Sequence, residues 1–261
     1  MKTPLVITDL TRMQHGRVCI AAYRRDYRCV RPVLPHGIME TWLFDGDQPI
    51  IRPFAVVELD LLEEQPDPPH TEDWVVDQEH RVWLKELPLD RRWNILAHIE
   101  DPSVAAIFGA DITHEHGWFV EAGAGSRSLG TVRAHQIHAL HYNLQEDGKR
   151  SYYLVFSDLA GERYRLSVTD LAFRRYLGHL HEQRHMRESR AAHMLMNMIG
   201  RAQTYLRIGL ARGWEKHPDR CYLQITGVYT WPDYLDGCCF ADFGAMGEER
   251  QSGVPEGDLP F

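Results

Sequence analysis

His181-Glu182-Gln183-Arg184-His185 is the one run in this chain spaced like a reaction centre. On a helix, two histidines four residues apart share a face and bind zinc, while the intervening glutamate serves as base. The surroundings weigh against that chemistry. At about 100° per residue, both histidines turn away from the apolar stripe of Phe173, Leu177 and Leu180, toward solvent. Ala191 stands where a third zinc-binding histidine belongs, and Glu188 where the motif wants glycine. A zinc-dependent hydrolase using His181, Glu182 and His185 is therefore kept as the alternative. The main expectation is that the chain has no catalytic residues, no cofactor and no enzymatic activity.

Two other stretches suit binding. Val18 to Tyr23 and Tyr27 to Val33 are apolar, β-branched runs separated by Arg24-Arg25-Asp26, the spacing of a hairpin with a three-residue loop. Centred on Arg25, such a hairpin sets Tyr23 opposite Tyr27, Ala21 opposite Cys29, Cys19 opposite Arg31 and Arg17 opposite Val33, all on one face. Val18, Ile20, Ala22, Val30 and Pro32 form the other face and read as core. Near the C-terminus, Tyr205, Arg207 and Gly209 alternate with Leu206, Ile208 and Leu210; Arg212 and Trp214 follow, and Tyr229, Trp231 and Tyr234 surround Pro232. Rings stack on nucleobases and guanidiniums fork onto phosphates. The candidate binding set is thus Arg17, Tyr23, Tyr27, Arg28 and Arg31 with Arg207, Arg212, Trp214, Tyr229 and Tyr234. The competing structural readings are an edge hairpin with solvated arginines and an aromatic plug at the end of a barrel.

The elements that must position these residues follow from length and patterning. With 261 residues, the chain exceeds the usual single-domain size and is expected to form two modules, each with its own core. A formal charge of −8 argues against wholesale nonspecific binding to DNA. The charge is uneven, however: Lys2, Arg12, Arg17, Arg24, Arg25, Arg28 and Arg31 crowd the start, and Glu58 to Asp101 is acidic. No apolar run is long enough to span a bilayer, and the N-terminus lacks the pattern of a secretory signal. Five cysteines without paired spacing suit free thiols in a reducing cytoplasm, the expected location. Walker loops, dinucleotide fingerprints and nucleophile elbows do not occur.

Strands are expected at Leu5 to Thr8, along the hairpin, and at Ile50 to Leu62. A mixed stretch with a helix from Asp90 follows. After it comes a meander over Val132 to Val168, then a helix capped by Thr169 or Asp170, a methionine-rich helix over Ser189 to Ile199, and two closing strands. The acidic loop Pro66 to Asp73 reads as rigid and solvated. A composition change places the boundary near residue 125. The expected domains are residues 1–125, a barrel with the acidic proline-rich loop, and residues 126–243, a barrel with a helical insertion. Residues 244–261 form a tail expected to be disordered. The fold class is mainly β with inserted helices, as two tandem OB-like small β-barrels.

VITDLTRMQHGRVCIAA followed by RCVRPVLP, then PPHTEDW, YLRIGLARGW and CYLQITGVYTWPDYL, resembles the bacterial family that carries a dual OB-containing domain, over nearly all of residues 4–243. Gly16, Arg17, Cys19, Arg28, Cys29, Arg31 and Pro32 match its N-terminal pattern. Arg207, Gly209, Arg212, Trp214, Gly227, Tyr229, Pro232, Asp233 and Tyr234 match its C-terminal one. The resemblance implies a nucleic-acid-binding or nucleotide-binding accessory protein in a bacterial defence or DNA-processing system, and it carries no catalytic residues across. The expected ligand is single-stranded DNA or RNA, or a nucleotide. The expected protein partner, if the chain serves as a scaffold, is an enzyme of the same system recruited through the acidic Glu58 to Asp101 segment.

Overall fold

Apolar and polar residues alternate from the start of the chain, and the first strand, β1 (Lys2–Arg12), forms there with Leu5, Ile7 and Leu10 turned inward. The computed structural model describes residues 1–144 and 150–244. The expected turn at Gln145 to Gly148 and the expected disordered tail lie outside the described residues. Left-handed backbone at His15 and Gly16 turns the chain into β2 (Arg17–Tyr23), and β3 (Cys29–Val33) returns beside it. A connection anchored by buried Trp42 and Leu43 leads to β4 (Ala55–Glu64), then β5 (Asp73–Glu86) and helix α1 (Leu89–His98).

These five strands form a closed ring of pairings. β1 pairs with β2, β2 with β3, β5 with β4 and β4 with β1, all antiparallel, and the parallel pair β3–β5 completes the circuit. The same order recurs. β6 (Trp118–Glu121) lies outside the ring, with the two-residue strand Thr113–His114 at the edge beyond it; β7 (Leu129–Leu144), β8 (Arg150–Asp158), β9 (Arg163–Val168), β10 (Gln203–Leu210) and β11 (Arg220–Trp231) form the second ring, closed by the parallel pair β9–β11. Helices α2 (Leu171–Glu182) and α3 (Glu188–Ile199) lie between β9 and β10. Asp170 caps α2 by accepting from the backbone N–H groups of Ala172 and Phe173 at 2.8 and 3.1 Å. The architecture is mainly β, with two OB-like closed sheets in tandem. No helix among the described residues is long and apolar enough to cross a membrane.

Three expectations need correction. The hairpin is slipped by two residues: Tyr23 pairs with Cys29, not Tyr27, because the loop holds five residues. Within it the Tyr27 N–H donates to the Arg24 carbonyl at 3.0 Å while Tyr27 takes a left-handed φ of 61°, a type-I-like turn extended by one αL residue. The boundary near residue 125 falls inside the second unit, since Val104, Ile107, Phe108 and Val120 belong to the second core. Composition changes there because a glycine-containing loop crosses the surface of that unit, not because a domain ends. Thirdly, the units share core residues: Leu171, Ala172 and Phe240, from the second half, pack into the core of the first ring.

Candidate nucleic-acid interface

The candidate residues split into two groups by burial, and the interior group is structural. Arg207 is fully buried on β10. Its Nε donates to both carboxylate oxygens of Asp9, at 3.2 and 2.9 Å, and one terminal nitrogen donates to the Tyr23 hydroxyl at 2.9 Å and the Thr131 hydroxyl at 2.7 Å. The guanidinium also lies 5.1 Å from the centre of the Tyr23 ring. Arg207 and Tyr23 are thus committed to each other across the two sheets, and burial raises the Tyr23 hydroxyl above its usual pKa despite the cation beside it. Arg31 is buried as well, bonded through Nε to Asp73 at 2.5 Å. Tyr234 is buried among Phe173 and Tyr176. Tyr229 is half-buried; its ring lies 4.8 Å from Phe54 and its hydroxyl donates to the Thr8 carbonyl at 2.5 Å. Arg31, Arg207 and Tyr234 are therefore buried away from any surface ligand, Tyr23 keeps only a ring edge at the surface with its hydroxyl committed to Arg207, and the expected face shared by all the candidates does not form. A buried guanidinium must have a partner, and here the protein supplies it.

The acidic loop is corrected in the same way. Glu72 and Asp73 are buried, not solvated. Glu72 accepts from the Ser128 N–H at 2.7 Å, the Ser128 hydroxyl at 2.9 Å and the Leu129 N–H at 3.2 Å, so it clamps the start of β7. Asp73 holds Arg31 on one oxygen and Arg212 on the other. Arg212 remains half-exposed, and its other terminal nitrogen lies 3.6 Å from Asp67. Trp214 is half-buried near Lys216 and His217. This face is occupied by the contact between the two units and carries its own carboxylates.

His70, in the same loop, is buried with Nε2 3.2 Å from the Leu210 carbonyl, so the neutral ring carries its proton on Nε2. Burial, with Arg31 and Arg212 adding to it, lowers its pKa to about 4. A folded pKa below the unfolded value of about 6.5 means that the contribution is whole above pH ~6.5 and is lost as the pH falls toward 4. The wild type is expected to lose up to about 3 kcal/mol more than His70→Gln between pH 7 and pH 4. Urea unfolding at several pH values checks this; parallel curves for the two proteins would refute it.

The HExxH geometry is not helical. α2 ends at Glu182, and His185 lies beyond the cap with a left-handed φ of 52°. The His181 ring is 2.9 Å from the Met186 carbonyl, and Glu182 pairs with Arg150. Among the described residues no three His, Cys, Asp or Glu side chains are grouped to hold a metal.

What remains exposed gathers on the first ring. A groove of about 420 Å³ is lined by Tyr23, Arg24, Arg25, Tyr27 and Lys85, with Pro4, Val6, Val56, Leu84, Leu87 and Ile95, and by no carboxylate. Tyr27 is 46% exposed, its other side resting on His98 at 3.8 Å between ring centres. Arg28 projects from the same loop with Asp26 3.8 Å away, and Arg17 is exposed at the start of β2. Of the candidate set, the groove therefore gathers Tyr23 and Tyr27, with Arg28 on the same loop outside its lining. Sequence reasoning missed Lys85, because β5 breaks its alternation with repeated register shifts against β4. The Arg24-Arg25 pair, read only as loop, was the available signal.

A family model described as the dual OB-containing domain matches residues 5–228, spanning both rings. No curated protein matches the chain.

Proposed function

We propose that this chain, which belongs to the dual OB-containing domain family, binds single-stranded nucleic acid in the groove beside the 24–28 loop. One observation carries the reading: three cationic side chains and a half-exposed tyrosine line an apolar groove with no carboxylate in its lining, Asp26 lying outside it 3.8 Å from Arg24, on a protein whose formal charge is −8. The hydrogen-bonded turn of the 24–28 loop carries Arg24, Arg25 and Tyr27, and β5 carries Lys85 beside them. Cations engage successive phosphates, the Tyr27 ring stacks on a base, and no bond is made or broken. Service in a bacterial defence or DNA-processing system is part of the same proposal.

Fluorescence anisotropy of labelled DNA and RNA oligonucleotides across a salt series tests it. About three phosphate contacts give a log–log slope near −2 for a single strand, and Arg25→Ala with Lys85→Ala flattens it by about 1.4. Tyr27→Ala, which removes stacking of roughly 1–3 kcal/mol, weakens binding by about 5–150-fold. Affinity indifferent to salt and to all three substitutions would defeat the proposal. A second reading, recruitment of a partner protein, is favoured by the consecutive exposed apolar residues Val82, Trp83 and Leu84 on β5, and would leave the oligonucleotides unbound.

A further inference from the structure

The groove beside the 24–28 loop is one-sided in its hydrogen bonding. Val6, Val56, Leu87 and Ile95 are buried or half-buried and form its floor, and the exposed Pro4 and Leu84 carry that aliphatic surface to the edge. Every charged group of the lining is a donor: Arg24, Arg25 and Lys85. No carboxylate or amide side chain belongs to it. Of its two hydroxyls, that of Tyr23 already accepts from Arg207 at 2.9 Å, which leaves Tyr27. Asp26 stays outside, 3.8 Å from Arg24 and from Arg28, and His98 backs the Tyr27 ring from outside the lining.

Such a surface tells bases apart by the edge they present. On its C4–C5 edge thymine carries an acceptor, O4, and a methyl group, whereas cytosine carries an amino donor and no methyl. Turned into the groove, the thymine methyl meets aliphatic carbon and O4 meets the cations. The cytosine amino group would meet other donors and give up water without gaining an acceptor. Guanine offers O6 and N7 to the cations but nothing to the aliphatic floor.

We infer that the groove selects thymine among the pyrimidines, and so favours thymine-bearing single-stranded DNA. The base lies against Tyr27 with its C4–C5 edge toward the floor, and the phosphates follow the cationic rim. This selectivity rests on the strand binding proposed above and adds the base that the groove prefers. Uracil keeps O4 and lacks the methyl, so it should bind about fourfold more weakly, the worth of one buried methyl group. Cytosine strands an amino donor and should bind at least about fivefold more weakly.

Fluorescence anisotropy of the full chain with all-dT, all-dU and all-dC strands of equal length, at neutral pH, reads the preference. Pyrimidine strands are compared because purines stack more strongly on one another, and binding must first undo that stacking. The expected order is dT, then dU, then dC. Leu84→Gln places an amide acceptor at the edge of the floor, so it should narrow the dT-to-dC ratio at least about twofold and leave the salt slope unchanged. Leu84 is 43% exposed, so the variant keeps its fold, which a thermal melt verifies. Salt-dependent binding in which dC or dU equals dT overturns the inference and leaves the proposed function standing. A ratio unmoved by Leu84→Gln places the preference outside the groove and also overturns it. Failure of every strand to bind overturns both.

Discussion

Arg207→Met is expected to lower the unfolding free energy by about 3–5 kcal/mol, the usual cost of stranding one member of a buried ion pair. Asp9 would be left as a 1%-exposed carboxylate with only the Thr8 and Thr226 hydroxyls for partners. For a chain of this size the loss corresponds to about 6–20 °C in Tm. Asp9→Leu alone should cost a similar amount, because it leaves the guanidinium buried. The double variant should recover a large part, since an apolar pair avoids the desolvation that the ion pair must offset. Urea unfolding of the four proteins closes the cycle. Additive losses would mean that the two groups are not coupled, contrary to the 2.9 Å contact.

Glu72→Ala is the second large effect. Its carboxylate is the acceptor for two backbone N–H groups and one hydroxyl at the start of β7, all buried. Unsatisfied buried donors cost roughly 1–3 kcal/mol each, so about 2–5 kcal/mol of stability should go. Because Glu72 belongs to the first ring and its donors to the second, the loss should fall on the contact between them. Tryptophan fluorescence and far-UV circular dichroism should then give separated unfolding midpoints in the variant where they coincide in the wild type. Glu72→Gln, which keeps an oxygen acceptor, should be milder. A change below about 0.5 kcal/mol, within the range of ordinary surface substitutions, would show that the clamp is idle.

Strands and helices were legible wherever local periodicity governs them. The stripe Phe173, Leu177, Leu180 and the Asp170 cap needed only neighbouring residues, and the structure has both. Ring closure was hidden, because the parallel pairs β3–β5 and β9–β11 join segments with no turn between them to read. The site suffered most. Arg207 alternates with apolar neighbours, so its strand face was evident, but its 198-residue separation from Asp9 left no local sign that the open face would be covered by another sheet. The same holds for Glu72 and Asp73, acidic and flanked by prolines, which resemble solvated loop residues until their partners across the seam are known. Tyr27 and Arg28 fared better because a short loop keeps its residues outside whatever the fold does.

Phe240 sits fully buried in the first ring's core, beside Phe44 at 5.7 Å, with Arg175 donating to its carbonyl at 3.1 Å. During synthesis, Glu86 ends the last strand of that ring long before this stopper exists; the roughly 150 intervening residues take about 8–30 s at ~5–20 residues per second. For that interval the emerging N-terminal half exposes an apolar mouth at Phe44, and ribosome-held chains arrested before Phe240 should bind a hydrophobic dye or a chaperone that the released protein ignores.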